Sequence, residues 1–479
     1  MSAEPATGTV TPPAPDGVIE TRPAAARRPG RRAAALTAGF ALIVATYLIA
    51  LASALRMIAD GVVYLSDADG IPQPTPHQGY PPGYPLLLRT AERLGLGSAS
   101  GFVAVNLVLL GLALALVYSL CRQPLGLSAT RAAFVCLLVL LVHAVSFQTP
   151  QVASEIPALA ATMACLRALC TSEQRSGRAR AGCIAVAAVL AAIAIAIRLQ
   201  ELALVPLVLY VAIGRTNLAR TWRFVRRRRS ITLATAVGSA VALAALIVVV
   251  VAATPYATLI SHAWRLSVGP GAFLGHVAFE LRQKLLALGE LAAQTNCCQK
   301  LPGTFRPPLV VLGVALLAVL VLGGLARRPL DTIEVFVLFS AAVLLVYPGG
   351  ETRYLISPLP FVIVYALFGL ERLARLRFVR LAVVLYAIAF VAIGAGWLAN
   401  SVIISTSGRR FPSVWGPLVP QRLAVTYRVA FGEARRPRAL RLVIPNALEL
   451  LWRYEPLARH PATRVRATDR TDGSTHAAG

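Results

Sequence analysis

Long apolar runs separated by short polar connections make up most of this chain. A helix needs about 20 apolar residues to cross a bilayer, and most of the runs approach or exceed that length. The runs lie at 34–58, 101–121, 132–148, 154–171, 181–197, 200–214, 231–253, 309–326, 332–348, 354–370 and 380–404. They predict an all-α polytopic membrane protein with about eleven transmembrane helices, and the shorter runs leave that count open by about one or two.

Arginine is concentrated in every second connection between the runs. The richest are "RTNLARTWRFVRRRR" at 215–229 and "ERLARLRFVR" at 371–380. A further group precedes the first run: Arg27, Arg28, Arg31 and Arg32. The positive-inside rule places these connections and the N-terminus in the cytoplasm. The connections that then face outward are 59–100, 149–153, 198–200, 254–308 and 349–353.

The composition excludes one partner class. The chain is 57% hydrophobic and 14% charged, with a net charge of +26. A basic excess is typical of nucleic-acid binding, but the four consecutive arginines at 226–229 lie between two apolar runs, where they orient the chain in the bilayer. No nucleic-acid partner is therefore predicted.

Three regions follow from this pattern. Residues 1–33 are rich in proline and alanine and predict a disordered cytoplasmic N-terminus. Residues 34–404 form the predicted membrane domain, with a first extracytoplasmic loop at 59–100 and a long one at 254–308 whose middle predicts an amphipathic interfacial helix. Residues 405–479 are predicted to be an extracytoplasmic tail.

The seven cysteines form no recognisable framework. Five lie in or at the ends of apolar runs, where a thiol behaves as a small apolar side chain. Cys297 and Cys298 lie in the long outward loop, but adjacent cysteines lack metal-ligand spacing and a bridge between them is strained. The pairing of these two cysteines stays open.

Ionisable residues gather at the outward ends of several runs. If the topology holds, one membrane face carries Asp60, Asp67, Asp69, Glu155, Arg198, Glu201, Glu351 and Arg353. Charged groups near lipid are costly, and several at one depth predict a functional site. The alternative to a functional site is that these charges simply lie at helix ends. For Glu155, its position at a helix N-terminus would be enough to explain a carboxylate there.

The first loop contains the unusual stretch "HQGYPPGYPLLL" at 77–88. Its three prolines predict a stiff, extended segment rather than a helix. Its glycines allow close backbone approach, and Tyr80 and Tyr84 suit the lipid headgroup level. This segment is predicted either to line a donor site or to act as a simple interfacial anchor. His77 is a weaker candidate contact.

These motifs, in this order, resemble the GT-C superfamily of integral-membrane glycosyltransferases, which includes protein O-mannosyltransferases and the lipid A aminoarabinose transferase. Members carry an aspartate at the head of the first extracytoplasmic loop, a tyrosine four residues on and a Tyr-rich Pro-Pro segment. Asp60, Tyr64 and "YPPGYPLLL" at 80–88 match that order. Later similar segments are "SEIPALAATMACL" at 154–166, "IRLQELALVPLVLY" at 197–210 and "ETRYLISPLPFVIVYALFGL" at 351–370.

The resemblance implies transfer of a sugar from a polyprenyl-phosphate donor to an acceptor hydroxyl, with inversion, on the extracytoplasmic face. Asp60 is then the general base, with Asp69 as second candidate. Arg353 is the first candidate to pair with the donor phosphate, and Arg198 is the second. The remaining implied donor or site residues are Tyr64, Tyr80, Tyr84, Tyr354, Asp67, His77 and Glu155.

Several alternatives stay open. Many members carry a second carboxylate directly after the loop aspartate, where this chain has Gly61, and since only some relatives need a divalent ion, the metal requirement is undecided. The acceptor is a glycolipid, an envelope polysaccharide or a protein, and the sugar is not predicted. The Arg/Ala-rich composition indicates a bacterial inner (cytoplasmic) membrane. A transporter or flippase of a lipid-linked sugar is the main competing function, although no pseudo-symmetric halves or mid-membrane breaks are evident in the sequence. A non-catalytic membrane scaffold is the other.

Overall fold

A computed structural model describes residues 31–49, 61, 64, 67–68, 81–97, 99–213, 270–295, 303–325, 331–347 and 351–406. Within these residues the fold is all-α. The helices are α1 (Arg31–Ile49), α2 (Gly83–Ala91), α3 (Ala99–Arg122), α4 (Ala129–Leu141), α5 (His143–Gln148), α6 (Glu155–Ser172), α7 (Gly177–Ile197), α8 (Leu204–Ile213), α9 (Pro270–Ala293), α10 (Arg306–Gly324), α11 (Thr332–Val346), α12 (Leu359–Leu373) and α13 (Arg377–Thr406). The predictions for residues 1–30, the run 231–253, Cys297, Cys298 and the tail beyond 406 lie outside the described residues.

Four of the described helices are long and apolar enough to cross a membrane: Ser100–Arg122, Gly177–Ile197, Arg306–Gly324 and Arg377–Val402. By length and composition these helices make the chain a membrane protein. Shorter apolar helices accompany them, so the described part is a bundle of mixed helix lengths. The middle of the long loop is helical as predicted, within α9.

Local signals in the sequence explain where two of these helices begin. The side chain of Ser128 accepts a hydrogen bond from the backbone N–H of Arg131 and caps α4. Asp331 accepts from the backbone N–H groups of Ile333 and Glu334, and the Glu334 side chain accepts from the backbone N–H of Asp331. This reciprocal capping box satisfies donors that a helix start otherwise leaves free.

The apolar run 132–148 is not one helix, which corrects the prediction. The chain becomes extended at Val142 (ψ 124°), between α4 and α5. The break lacks proline and glycine, so nothing local announces it. The side-chain oxygen of Gln294, just after α9, accepts a hydrogen bond from the backbone N–H of His143 at 3.0 Å. A buried backbone donor at the break is thereby satisfied by a distant residue.

The proline-rich first-loop segment is helical from Gly83 onward, so the predicted extended loop is wrong for α2. Pro82 is the N-cap and Pro85 lies in the first turn, where a missing backbone N–H breaks no intrahelical bond. Gly83 does provide a close approach, because a Cβ there would stand 2.6 Å from the carbonyl carbon of Ala196 in α7.

Glycines also set how closely α10 packs against α9 and α12. A Cβ at Gly313 would lie 1.8 Å from the Leu285 carbonyl oxygen of α9. A Cβ at Gly323 would lie 2.0 Å from the Tyr365 carbonyl oxygen of α12. Small residues allow helix backbones to approach this closely in membrane bundles.

Alternating helix directions bring specific ends together. The start of α6, the end of α7, the end of α11 and the turn before α12 meet at one end of the bundle. At the other end Arg131 of α4 pairs with Glu371 of α12 at 3.2 Å, and Thr332 of α11 donates a hydrogen bond to Glu173 at 2.8 Å. The first of these ends holds the candidate site.

We expect Gly323→Ala to destabilise the protein by about 1–3 kcal/mol, because its new methyl group meets the Tyr365 carbonyl. Gly324→Ala is the matched control, since a Cβ at the neighbouring glycine meets nothing within 4 Å. The measurement is the temperature at which detergent-solubilised protein loses its monodisperse peak. Equal midpoints for the two variants would contradict the close α10–α12 packing.

Candidate functional site

Glu155 is the centre of the candidate site. It is the first residue of α6 and only 3% exposed. Its Oε1 lies 2.5 Å from Nη1 of Arg198 and 3.8 Å from Nη1 of Arg353. The carboxylate therefore pairs with two arginines, beyond any general preference of acidic groups for a helix N-terminus.

Arg198 is held by two partners. It follows α7 in an extended conformation, and its guanidinium is almost fully buried. Nε and Nη2 donate to the side-chain oxygen of Gln200 at 3.1 and 2.6 Å, while Nη1 faces Glu155. Burial opposes the charge, but the Glu155 carboxylate outweighs it and raises the pKa of Arg198, so the guanidinium stays protonated.

Arg353 lies in the short turn Thr352–Leu355 before α12. Its Nε forms an ion pair with Glu351, two residues earlier in the chain. The Glu351 side chain is 41% exposed, in contrast to the buried Glu155. One side of the ion-pair group therefore reaches the protein surface at Glu351.

Tyr354 is the aromatic platform of this group. The Arg198 and Arg353 guanidinium carbons lie 5.8 and 5.4 Å from its ring centroid, and Nζ of Lys284 lies 5.7 Å away. These distances fall within cation–π range. The Tyr347 ring meets the same ring edge-on at 5.5 Å.

Lys284 brings α9 into the site. Its Nζ donates to the Tyr347 carbonyl at 2.9 Å and lies 3.3 Å from Glu280. Burial lowers the pKa of Lys284 from its ordinary value, which the Glu280 carboxylate partly offsets. The sequence analysis did not select Lys284, and the only signal for it was a lysine within the amphipathic pattern of the long loop.

Two first-loop tyrosines adjoin the ion pairs. The Tyr64 and Tyr84 rings meet edge to face, with centroids 4.9 Å apart, and the Tyr64 hydroxyl lies 3.2 Å from the Ser154 hydroxyl. Tyr84 is 1% exposed, so its ring packs against protein. Burial raises the pKa of Tyr84 well above its ordinary value, so the phenol stays neutral.

Glu201 belongs to a separate buried group. Its two carboxylate oxygens accept hydrogen bonds from Thr162 of α6 at 2.8 Å and from Ser357 at 2.5 Å. The sequence placed Glu201 with the other charges at one face. The structure gives its carboxylate two hydroxyl groups as hydrogen-bond donors, and Arg198 acts on it through its charge.

The remaining predicted residues divide into two sets. Asp67 is described and half-buried, and the carbonyl of the next residue, Ala68, accepts a hydrogen bond from Arg89 at 2.7 Å. Those outside the described residues are Asp60, Asp69, His77 and Tyr80. Within the described part of the chain, no three His, Cys, Asp or Glu residues are grouped to hold a metal.

Comparison with family models, curated proteins and solved structures found no match for this chain. Its function is therefore inferred from the chemistry of the site. Guanidinium forks, an ammonium group and an aromatic ring around a buried carboxylate suit an anionic ligand that can form several hydrogen bonds at once.

We expect Glu155→Gln to destabilise the fold by roughly 3–5 kcal/mol, because it leaves the buried Arg198 charge uncompensated. Glu351→Gln is the matched control, and its half-exposed ion pair should contribute no more than about 1 kcal/mol. Heating both variants in the same detergent gives the comparison. If Glu351→Gln proved as damaging as Glu155→Gln, the burial-based ranking would be wrong.

Proposed function

We propose that this chain is a GT-C-like glycosyltransferase with about eleven spans. It moves a sugar from a polyprenyl-phosphate-linked donor to an acceptor hydroxyl at the outward face of a bacterial inner membrane. The observation that carries the proposal is the convergence of Arg198 and Arg353 on the buried Glu155, next to the first-loop tyrosines. The acceptor is a glycolipid, a polysaccharide or a protein.

The donor phosphate is assigned to the arginines. Both guanidinium groups are oriented by Glu155, and arginine pairs with two phosphate oxygens through parallel N–H donors. Arg353 is the first choice because its other partner, Glu351, is 41% exposed and can turn away into solvent. A phosphate then replaces the Glu351 carboxylate on Arg353, while Glu155 keeps the guanidinium in place.

Chemistry at the sugar is assigned to the first loop. The acceptor oxygen attacks the anomeric carbon, its proton passes to the Asp60 carboxylate, and the carbon–oxygen bond to the lipid phosphate breaks with the electrons leaving on phosphate. Such a single displacement inverts the anomeric configuration. Asp60 precedes Tyr64 by four positions, and Tyr64 lies against Ser154 beside Glu155. Asp69 is the second candidate base.

The proposed orientation follows from the two ends of the bundle. Arg131 and the arginines around 371–380 belong to the end opposite Glu155, and the positive-inside rule assigns that end to the cytoplasm. The site then faces outward, where no nucleotide-sugar pool exists and a lipid-linked donor is required.

We expect deletion of the gene and Asp60→Asn, at matched protein level, both to remove one sugar from one envelope acceptor, because the acceptor hydroxyl then lacks its base. A polyprenyl-phosphate sugar should accumulate in both strains. The measurement is mass spectrometry of envelope glycans and of the lipid-linked pool. Asp69→Asn distinguishes the two candidate bases, since it should leave transfer intact if Asp60 accepts the proton.

Three outcomes would overturn parts of this proposal. Normal glycans in Asp60→Asn cells would reject that base, and loss in Asp69→Asn cells alone would transfer the role to Asp69. Loss of the same sugar in the deletion strain, with the donor confined to the inner leaflet, would indicate a flippase.

We expect donor binding to weaken as the pH rises from neutrality toward 10.5, the ordinary lysine value. The reason is that the lowered pKa of Lys284 makes it lose its positive charge earlier in that interval. A phosphodiester donor has no titration of its own in this range. Lys284→Arg should abolish the pH dependence, because arginine keeps its charge. Titrating purified protein with the donor at several pH values makes the comparison, and identical profiles for the two proteins would contradict a role for Lys284.

A further inference from the structure

The orientation of the Gln200 side-chain amide is fixed by its neighbour. Its oxygen accepts hydrogen bonds from Nε and Nη2 of Arg198 at 3.1 and 2.6 Å. A guanidinium group only donates, so the atom facing it must be the amide oxygen. The amide nitrogen of Gln200 is thereby turned away from Arg198.

That nitrogen is a buried donor without an acceptor. Gln200 is 8% exposed, and its Nε2 makes no hydrogen bond to any group in the described part of the chain. Leaving a buried donor unsatisfied costs free energy, and such groups are uncommon enough in native structures to require an explanation. A bound ligand oxygen supplies one.

We infer that Gln200 is a ligand-binding residue whose Nε2 donates a hydrogen bond to an oxygen of the donor phosphate. The inference rests on the proposed function, since it names a third contact to the same phosphate. A phosphate oxygen suits the position because it accepts several hydrogen bonds at once, and the neighbouring Arg198 offers only donors.

The choice of glutamine agrees with a role as hydrogen-bond donor. Holding Arg198 requires only an acceptor, and a glutamate at this position would hold it more strongly through its charge. A glutamine keeps the acceptor and adds a neutral donor beside the arginine. The amide therefore serves Arg198 through one atom and the ligand through the other.

Two variants separate these two roles. Gln200→Glu keeps the hydrogen-bond acceptor for Arg198 but removes the hydrogen-bond donor, whereas Gln200→Met removes both. Each is purified as the full chain in lipid nanodiscs and compared with the unmodified protein for binding of a polyprenyl monophosphate. The matching polyprenol, which lacks the phosphate, is the control ligand, and heat stability is measured in parallel.

We expect both variants to bind the polyprenyl monophosphate at least about tenfold more weakly than the unmodified protein, which corresponds to one hydrogen bond to a charged group. Polyprenol binding should stay unchanged. Gln200→Met adds no charge, so its loss of binding cannot come from repulsion between a new carboxylate and the phosphate. Sugar transfer should show a raised KM for the donor.

The inference fails if Gln200→Glu binds the phosphate as well as the unmodified protein, since holding Arg198 would then be the whole role. It also fails if Gln200→Met binds the phosphate as well as the unmodified protein, since the loss in Gln200→Glu would then come from the added carboxylate alone. The proposed function fails in a different way. In that case the unmodified protein itself would bind polyprenyl monophosphate and polyprenol equally and transfer no sugar.

Discussion

The ion pair between Glu155 and Arg198 is the interaction on which the site depends. It joins the start of α6 to the end of α7, and both residues are more than nine-tenths buried. Charges at such a position are tolerated only when their remaining hydrogen-bonding groups find partners. Gln200 provides one for Arg198, and Arg353 is a second cation for Glu155. One buried carboxylate thus orients the guanidinium groups of two chain segments that are far apart in sequence.

A second layer lies next to this ion-pair group and joins the same three segments. The Glu201 carboxylate accepts hydrogen bonds from Thr162 of α6 and from Ser357, close after Arg353. Because Glu201 follows Arg198 by three positions, both layers fix the same helix ends against one another. The bundle therefore sets the distances between the charged groups, as a preorganised binding site requires.

Much of the helix pattern was predictable from apolar runs, because membrane-spanning helices need long uninterrupted apolar stretches. The runs 101–121 and 181–197 differ from α3 and α7 by only a few residues at either end. The break at Val142 was not predictable, because it depends on a hydrogen bond from His143 to Gln294, about 150 positions later. Sequence pattern could group Glu155 with the arginines, but Lys284 joins them through a tertiary contact, its hydrogen bond to the Tyr347 carbonyl, that no local pattern encodes.

The pairing of Arg353 with Glu351 gives the site a built-in counter-ion. Because the two residues are separated by a single position, the carboxylate is present at a high effective concentration beside the guanidinium. An anion that binds Nε of Arg353 must displace this tethered competitor, and the competitor returns as soon as the anion loosens. When the anion leaves, Glu351 pairs with Arg353 again, which lowers the affinity for the anion but favours its rapid release. A membrane enzyme whose leaving group stays in the same bilayer would gain turnover from that exchange.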